Sequence, residues 1–188
     1  MNLEYILENY TFEKLTDKYD LSEFDCGEKD LTNFLRNDAL NQQAINLNAT
    51  QLIVCDDEII GFVTLLADKL RIKLVDDEVK QSVKEQIPNL KEVPAVKIGR
   101  FAISKKYSNH GIGMDVMRQI IGEIVKISLN IGIKFIIVEG YAKAHNFYKK
   151  TKFKHLKKDE KYIDNIENII KKDPTRTFLL YQDITNKY

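Results

Sequence analysis

The chain has 188 residues, of which 44% are hydrophobic and 30% charged, which is typical of one folded domain and excludes a disordered or fibrous chain. The formal net charge is only +1, although residues 1–30 carry nine acidic and three basic side chains. No secretion signal and no run of ~20 apolar residues is visible, so we expect a cytoplasmic protein without a membrane span. The two cysteines and three histidines are scattered and form no ligand pair, so no metal site is predicted.

The first elements alternate between strand and helix. Apolar alternation predicts a strand over 10–16, and helical spacing predicts a helix over roughly 28–46. Two short runs, 51–55 and 59–66, flank a polar turn and predict a β-hairpin. Residues 67–93 include an amphipathic segment and Pro88, and Pro94 follows directly, which indicates an insertion between strands.

The strongest signals lie in the second half of the chain. Residues 96–103 predict a strand, and residues 111–130 predict a long helix with one apolar face and Gly132 at its C-cap position. Residues 134–139 are nearly all apolar, which predicts a buried strand. The remaining elements are predicted as a short helix over 144–150, a strand over 153–156, a charged helix over 161–171 and a strand over 177–183.

This order predicts an α/β fold with a mixed central β-sheet flanked by helices. No internal repeat or low-complexity segment divides the sequence. We therefore expect a single domain over 1–188, with an insertion at about 67–93 and a C-terminal helix–strand extension at about 158–188.

The loop before the long helix is suited to binding phosphate. It contains Gly111 and Gly113, which allow successive backbone N–H groups to point inward. At a helix N-terminus these donors and the helix dipole suit a pyrophosphate, although a plain strand–turn–helix connection has the same pattern. The candidate binding residues are Ser108, Asn109, His110, Gly111, Ile112, Gly113 and Met114.

The arrangement of strand, loop, helix, strand and short helix resembles the GNAT superfamily of acyl-CoA N-acyltransferases. That family's pyrophosphate loop reads Gln/Arg-x-x-Gly-x-Gly/Ala, which is similar to residues 108–113 (SNHGIG). Its later segment, with Asn before Phe-Tyr and Gly-Phe after it, is similar to residues 146–153 (NFYKKTKF). Ser108 replaces the family's Gln or Arg and Lys152 replaces its Gly, which alters one side-chain contact and one turn but keeps the backbone donors.

The resemblance extends to a narrower group, the acetyltransferase toxins of bacterial type II toxin–antitoxin pairs, which acetylate aminoacyl-tRNA. Residues 24–27 (FDCG), with the Leu and Phe-Leu that follow, resemble that group's opening. Residues 87–88 (IP) and 93–103 (VPAVKIGRFAI) resemble its IPVVLLGRLAV segment. The similarity covers about residues 10–156, and it implies an α/β GNAT fold and acetyl-CoA as co-substrate.

The resemblance also assigns roles to individual residues. Phe101, Ala102 and Ile103 lie on the strand whose backbone, in the family, pairs with the pantetheine arm and polarises the thioester carbonyl, and they are equally core residues. Tyr148 is the candidate general acid toward the leaving thiolate, the alternative being that it packs a helix end. A phenol (pKa ~10) protonates a thiolate (thiol pKa ~8.5) only with modest help from its surroundings.

Three further polar residues have two interpretations each, and a fourth has one. Asn146 contacts the cofactor or caps a helix, and His110 contacts a phosphate or is an exposed loop residue. Arg100, beside the reaction strand, contacts RNA phosphate or forms a structural ion pair. Glu139 is a weak candidate for the general base.

The basic run at 149–158 holds six Lys, one His and no acid. It is either a solvated turn and strand or a patch that faces phosphate. On the second interpretation, the candidate tRNA contacts are Lys150, Lys154, Lys157 and Lys158.

The strand at 96–103 contains no Asp or Glu, which bears on the kind of amine that accepts the acetyl group. A lysine amine (pKa ~10.4) is almost wholly protonated at neutral pH, whereas an α-amino group (pKa ~7.7–8.0) is partly free, so the pattern favours an aminoacyl ester. The leading hypothesis is acetylation of aminoacyl-tRNA, with a small ribbon-helix-helix antitoxin and a second copy of the chain as further partners. The alternatives are an enzyme for a small amine, peptide or protein N-terminus, and an acyl-CoA-binding regulatory module without turnover.

Overall fold

The computed structural model describes residues 2–185, in which strands and helices alternate along most of the chain. The strands are β1 (Thr11–Lys14), β2 (Ala49–Cys55), β3 (Glu58–Arg71), β4 (Glu92–Ile103), β5 (Phe135–Tyr141), β6 (Lys154–His155) and β7 (Thr177–Asp183). The α-helices are α1 (Leu3–Asn9), α2 (Lys29–Asn33), α3 (Ala39–Ala44), α4 (Asp77–Gln86), α5 (Ile112–Ser128), α6 (His145–Lys150), α7 (Glu160–Ile163) and α8 (Ile166–Lys172). A π-helical segment, Phe34–Asp38, joins α2 to α3.

Within the described residues the strands form a seven-stranded mixed sheet in the order β1-β2-β3-β4-β5-β7-β6. The first three strands form an antiparallel meander, in which Leu52 of β2 lies opposite Phe62 of β3. Strand β7 pairs antiparallel with both β5 and β6, and Phe135 lies opposite Asp183. This sheet, flanked by helices, confirms the predicted α/β fold class.

Residues up to 66 and residues 98–119 form one compact unit. Phe34 stacks on Phe62 in its core, with ring centroids 6.2 Å apart, and Phe24 meets Phe62 edge-on at 5.7 Å. Full burial of such a side chain contributes ~1.5–3 kcal/mol to stability. The core consists of Leu15, Phe24, Phe34, Leu35, Ala39, Leu52, Val54, Phe62 and Ala102, so the end of β4 is fixed by the packing of this unit.

Residues 67–97 and residues from 120 onward form a second compact unit. The first four residues of β5 are buried, which confirms the predicted buried strand. Tyr181 is buried in the core, and its hydroxyl donates to Asp76 Oδ2 at 2.6 Å. The core consists of Leu70, Ile72, Val75, Val93, Ala95, Phe135, Ile137, Leu156 and Tyr181.

The segment predicted as an insertion is shorter than expected. Residues 67–71 complete β3 and residues 92–93 begin β4, so the connection covers 72–91 and contains α4. Strand β4 starts early because Val93 and Ala95 alternate into the core, while Pro94 is exposed and its carbonyl accepts from Lys134 N–H at 3.0 Å. The single-domain organisation stays a prediction, and residues 186–188 of the proposed extension lie outside the described residues.

One helix was not predicted, and two local expectations were wrong. Helix α1 was not predicted, although the side chain of Asn2 caps it by accepting from Tyr5 N–H at 2.7 Å. Gly132 does not cap α5, because the helix ends at Ser128 and the glycines with positive φ in residues 2–185 are Gly27 and Gly111. The helix predicted over 161–171 is two helices, α7 and α8, because the chain turns between them, with Asn165 N–H donating to the carbonyl of Tyr162.

Candidate active site

The end of β4 runs against β3 with almost no space between the two backbones. At Gly61 a β-carbon would lie 2.5 Å from the carbonyl oxygen of Ala102 and 2.9 Å from Cδ1 of Ile103, so only glycine fits. The pairing continues past the strand, since Ser104 N–H donates to the carbonyl of Ile60 at 2.7 Å. The predicted pantetheine strand, Phe101 to Ile103, therefore enters the loop along a fixed path.

Glu58 on β3 anchors the loop that follows. Its carboxylate accepts from Lys106 Nζ and from the hydroxyl of Tyr107, both at 2.6 Å. Burial alone would raise the pKa of Glu58, but these two hydrogen bonds and the charge of Lys106 lower it. No local sequence pattern predicts this contact, because 48 residues separate Glu58 from Lys106.

The loop ends in an array of backbone donors. Asn109 and Gly111 have positive φ angles of 64° and 85°. Helix α5 starts at Ile112, and Met114 N–H donates to the carbonyl of Gly111 at 3.0 Å. The N–H groups of Ile112 and Gly113 precede the helical ladder and lie at the positive end of the helix dipole, as an anion requires.

The loop's side chains contribute less than its backbone. The hydroxyl of Ser108 donates to the carbonyl of Lys105 at 3.1 Å, so it closes the loop from within. Asn109 and His110 are exposed. Asp115, in the first turn of α5, is held by the hydroxyl of Tyr10 at 2.8 Å, a contact that the sequence did not predict.

In the second unit, Tyr148 lies on α6 over Gly140 of β5. A β-carbon at Gly140 would lie 2.8 Å from Cδ2 of the Tyr148 ring and closer still to Cε2. Phe147 and Phe153 meet the ring edge-on, with centroids 5.2 and 5.7 Å away. Tyr148 is 7% exposed, and burial raises the pKa of its hydroxyl, which therefore stays protonated as a hydrogen-bond donor.

The start of α6 corrects two expectations. Ala144 is the N-cap residue, so Asn146 does not cap the helix, and its side chain is exposed. The histidines are not all scattered, because His145 Nδ1 lies 2.8 Å from His155 Nε2, although the described residues include no group of three side chains arranged to hold a metal ion. Burial lowers the pKa of both imidazoles, which keeps the pair neutral. A separation of ten residues, between a helix and a strand, carries no sequence signal for this contact.

The predicted tRNA contacts separate into two groups. Lys154 pairs with Asp76 at 2.9 Å and Lys157 pairs with Asp77, so both lysines are neutralised by the N-terminus of α4. Lys150 and Lys158 are exposed, and no ion pair within residues 2–185 includes them.

Arg100 is not in a structural ion pair within the described part of the chain. Its guanidinium lies 5.0 Å from the ring centroid of Phe34 and donates to the carbonyl of Gly99 at 2.8 Å. Glu139, the weak base candidate, accepts from Lys97 at 3.4 Å and from the Thr177 hydroxyl at 3.0 Å. Both of these contacts of Glu139 are structural.

Two negative findings apply to the residues that the structure describes. No group of three or more His, Cys, Asp or Glu side chains is arranged to hold a metal ion. No helix combines the length and apolar character that crossing a membrane requires.

The α/β fold matches that of GNAT-type acetyltransferase toxins, and this similarity supports an acyl-CoA N-acetyltransferase. The chain is similar to acetyltransferase toxins, although no protein-family model matches its sequence. It is 24% identical to the tRNA-acetylating toxin of Mycobacterium tuberculosis over 136 residues, which are 72% of this chain and 78% of the relative.

Solved structures extend this similarity. AtaT complexed with acetyl-methionyl-tRNAfMet is 25% identical, with a TM-score of 0.74 over 93% of this chain and 95% of that one. AtaTR bound with acetyl-CoA is 25% identical, with a TM-score of 0.69 over 94% of both chains. A tyrosine-to-phenylalanine mutant of KacT, 23% identical, shares the fold with a TM-score of 0.75 over 93% of this chain and 95% of that one.

Proposed function

We propose that this chain transfers the acetyl group of acetyl-CoA to the α-amino group of an aminoacyl-tRNA, as a toxin of a toxin–antitoxin pair. The observation that carries the proposal is the similarity, over 93% of the chain, to AtaT complexed with acetyl-methionyl-tRNAfMet. The relative from Mycobacterium tuberculosis, a tRNA-acetylating toxin, supports the same reaction.

Acetyl-CoA binds mainly through backbone groups. Its pyrophosphate accepts from the loop between Ser108 and Met114, above all from the free N–H groups of Ile112 and Gly113. Its pantetheine arm pairs with the backbone at the end of β4, and Asn146 adds a side-chain contact. Backbone recognition makes the side chain at Ser108 dispensable, which is consistent with its hydroxyl closing the loop from within.

The transfer is a direct displacement at the thioester carbonyl. The neutral amine attacks the carbonyl carbon, a backbone N–H of β4 stabilises the oxyanion, the C–S bond breaks and the amine proton passes to water. Tyr148 donates a hydrogen bond to the sulfur as it leaves. Because burial raises its pKa, complete proton transfer to the thiolate is uphill, so stabilisation of the thiolate by this hydrogen bond is the main contribution.

No side chain is required as a strong base for this acceptor. Strand β4 carries acid only at Glu92, its first residue, and Glu139 is engaged by Lys97 and Thr177. An α-amino group (pKa ~7.7–8.0) is partly unprotonated at neutral pH, and a water molecule suffices to remove the second proton.

The partners follow from the same proposal. AtaT has been solved bound to the C-terminus of the antitoxin AtaR, and we infer a comparable small antitoxin for this chain, along with self-association and a cytoplasmic location. Arg100, Lys150 and Lys158 are the exposed cations retained as candidate tRNA contacts from the sequence.

The test supplies the purified protein with labelled acetyl-CoA and, in parallel, a charged tRNA pool, a polyamine and a short peptide. We expect label on aminoacyl-tRNA. Mild alkali, which hydrolyses the ester to the tRNA, should release this label as the N-acetyl-amino acid. Label on the polyamine or peptide alone would replace this proposal with a small-amine or peptide enzyme. Acetyl-CoA binding without transfer to any acceptor would indicate a regulatory module.

A further inference from the structure

Two cations in the second unit share one aromatic ring. The guanidinium of Arg176 lies 4.8 Å from the ring centroid of Tyr162, and Lys161 Nζ lies 5.0 Å from the same centroid. Arg176 also lies 5.3 Å from the ring of Phe178. We name these four residues the Tyr162 cluster.

Within residues 2–185, the cations of this cluster have no carboxylate partner. Both are exposed, and no ion pair in residues 2–185 includes either of them. Lys154 and Lys157 differ, since Asp76 and Asp77 neutralise them. Two unpaired like charges around one ring repel each other, and an anion between them would relieve that repulsion.

The cluster continues into a cavity through a row of rings. Tyr162 and Phe178 have centroids 6.2 Å apart, and Phe178 and His155 are 5.4 Å apart. His155 and His145 line a cavity of about 580 Å³ with Phe153, and its lining also includes the acidic residues Asp76, Glu78 and Glu160. Its imidazoles are neutral at physiological pH because burial lowers their pKa, so this wall suits an uncharged ring and not a phosphate.

The position of the cluster is fixed relative to α6. Ala142 N–H donates to the carbonyl of Arg176 at 2.7 Å, and Lys143 N–H donates to the carbonyl of Pro174 at 3.3 Å. Helix α6, which carries Tyr148, begins at His145. The segment bearing Arg176 is therefore held by backbone hydrogen bonds to the turn that precedes the helix of the proposed acid.

Phosphate charge and unpaired bases together are the ligand that cations interleaved with aromatic rings recognise. We propose that the Tyr162 cluster and the adjoining cavity bind the single-stranded 3′ end of the tRNA, with its phosphates on Lys161 and Arg176 and a base against the aromatic row. This inference rests on the proposed function, and it assigns substrate binding to Lys161, Tyr162 and Arg176, none of which was a candidate from the sequence.

The experiment uses the full chain in four forms: wild type, a Lys161→Ala/Arg176→Ala double variant, Tyr162→Ala and Tyr162→Phe. Fluorescence anisotropy measures affinity for uncharged tRNA across a salt series, and calorimetry measures affinity for acetyl-CoA. The double variant should lose affinity for tRNA and flatten its salt slope by about one to two, as expected for two lost phosphate contacts. Tyr162→Ala should weaken tRNA binding about tenfold by loss of stacking, while Tyr162→Phe retains it.

The matched control is a Lys69→Ala/Lys126→Ala double variant, in lysines that pair with Glu92 and Glu123 and lie outside the cavity. It removes the same formal charge from the same unit, but from lysines that already have carboxylate partners, so tRNA affinity should change far less. Equal losses in the two double variants would reduce the effect to net charge and overturn the inference. Weaker acetyl-CoA binding with unchanged tRNA binding would also overturn it, because the cluster would then serve the co-substrate.

The outcomes separate this inference from the proposed function. If the wild type acetylates aminoacyl-tRNA and the cluster variants bind tRNA normally, the inference fails and the function stands. If the wild type acetylates no aminoacyl-tRNA but binds tRNA through the cluster, the function fails and the binding surface stands.

Discussion

The ring of Tyr148 lies over Gly140, in a space that a single methyl group would fill. A β-carbon on residue 140 would be 2.8 Å from Cδ2 of the ring, and the ring is itself held between Phe147 and Phe153. Gly140 is therefore a positioning residue for the proposed acid, because it sets how far the tyrosine lies from strand β5.

We expect Gly140→Ala to lower kcat by about 10- to 100-fold, because a displacement of the ring by a fraction of an ångström misaligns its hydroxyl. The affinity for acetyl-CoA should change little. Single-turnover acetyl transfer and calorimetry measure the two effects. Gly122→Ala is the control, since a β-carbon there meets nothing within 4 Å. A loss of binding equal to the loss of rate would refute a positioning role.

Removing only the hydroxyl tests the hydrogen bond that Tyr148 is proposed to donate to the leaving sulfur. Tyr148→Phe keeps the ring contacts, so the melting temperature and acetyl-CoA affinity should be unchanged while kcat falls by about 100-fold or more. Rapid-quench measurement of a single turnover checks this. Tyr5→Phe, which removes an exposed hydroxyl bonded to Asp56, is the control and should have the wild-type rate. Wild-type chemistry in Tyr148→Phe would mean that water stabilises the sulfur.

Gly111 and Gly132 provide a matched pair for the pyrophosphate loop. A β-carbon at either position meets nothing within 4 Å, but only Gly111 has a positive φ, of 85°. Gly111→Ala should cost about 1–2 kcal/mol of backbone strain and redirect the donors, which weakens acetyl-CoA binding about tenfold. Gly132→Ala should bind normally in the same calorimetric titration. Equal acetyl-CoA affinities of the two variants would show that the pyrophosphate does not bind at this loop.

The features that the sequence predicted depend on residues close together in the chain, whereas the features that it missed depend on residues far apart. Gly111 and Gly113 could be singled out because the loop is formed by neighbouring residues at the start of one helix, and its phosphate-binding role stays a prediction. The aromatic pair at 147–148 was recognisable because its motif is contiguous. Gly140 was not singled out, since its importance depends on the side chain of Tyr148, which folds back over the strand.

For the lysines of the basic run, the sequence likewise did not reveal which charges are paired. Lys150 and Lys154 are equivalent in sequence, yet only Lys154 meets a carboxylate, that of Asp76, which lies 78 residues away. Charge counted along a sequence overstates the charge that a partner meets. Pairing across the fold decides which cations stay available, and no local pattern reveals it.

Asp76 offers a test of stability against pH. Burial alone would raise the pKa of its carboxyl from 3.8, but hydrogen bonds from Tyr181, Val79 N–H and Lys154 lower it to about 2. Because the pKa is lower in the folded state, the unfolded chain binds the proton more readily. The stabilisation is therefore present above pH 3.8 and is lost as the pH falls through about 2.

Asp76→Asn should accordingly lower the free energy of unfolding by about 2 kcal/mol at pH 7, and the difference from wild type should shrink below pH 4. Urea unfolding followed by circular dichroism at several pH values measures it. The control is Asp164→Asn, which changes an exposed residue. A difference from wild type that stays constant down to pH 2 would show that the lost contacts do not depend on ionisation.

The donors at Ile112 and Gly113 also bear on how such a protein diverges. A peptide N–H is present in every residue except proline, so the groups proposed to hold the pyrophosphate survive most substitutions around them. Selection then acts on the path of the backbone and on a few glycines, while the side chains drift. A chain can in this way keep the architecture of AtaT at 25% identity and match no family model. The proposed recognition element is a backbone conformation, which many different sequences can adopt.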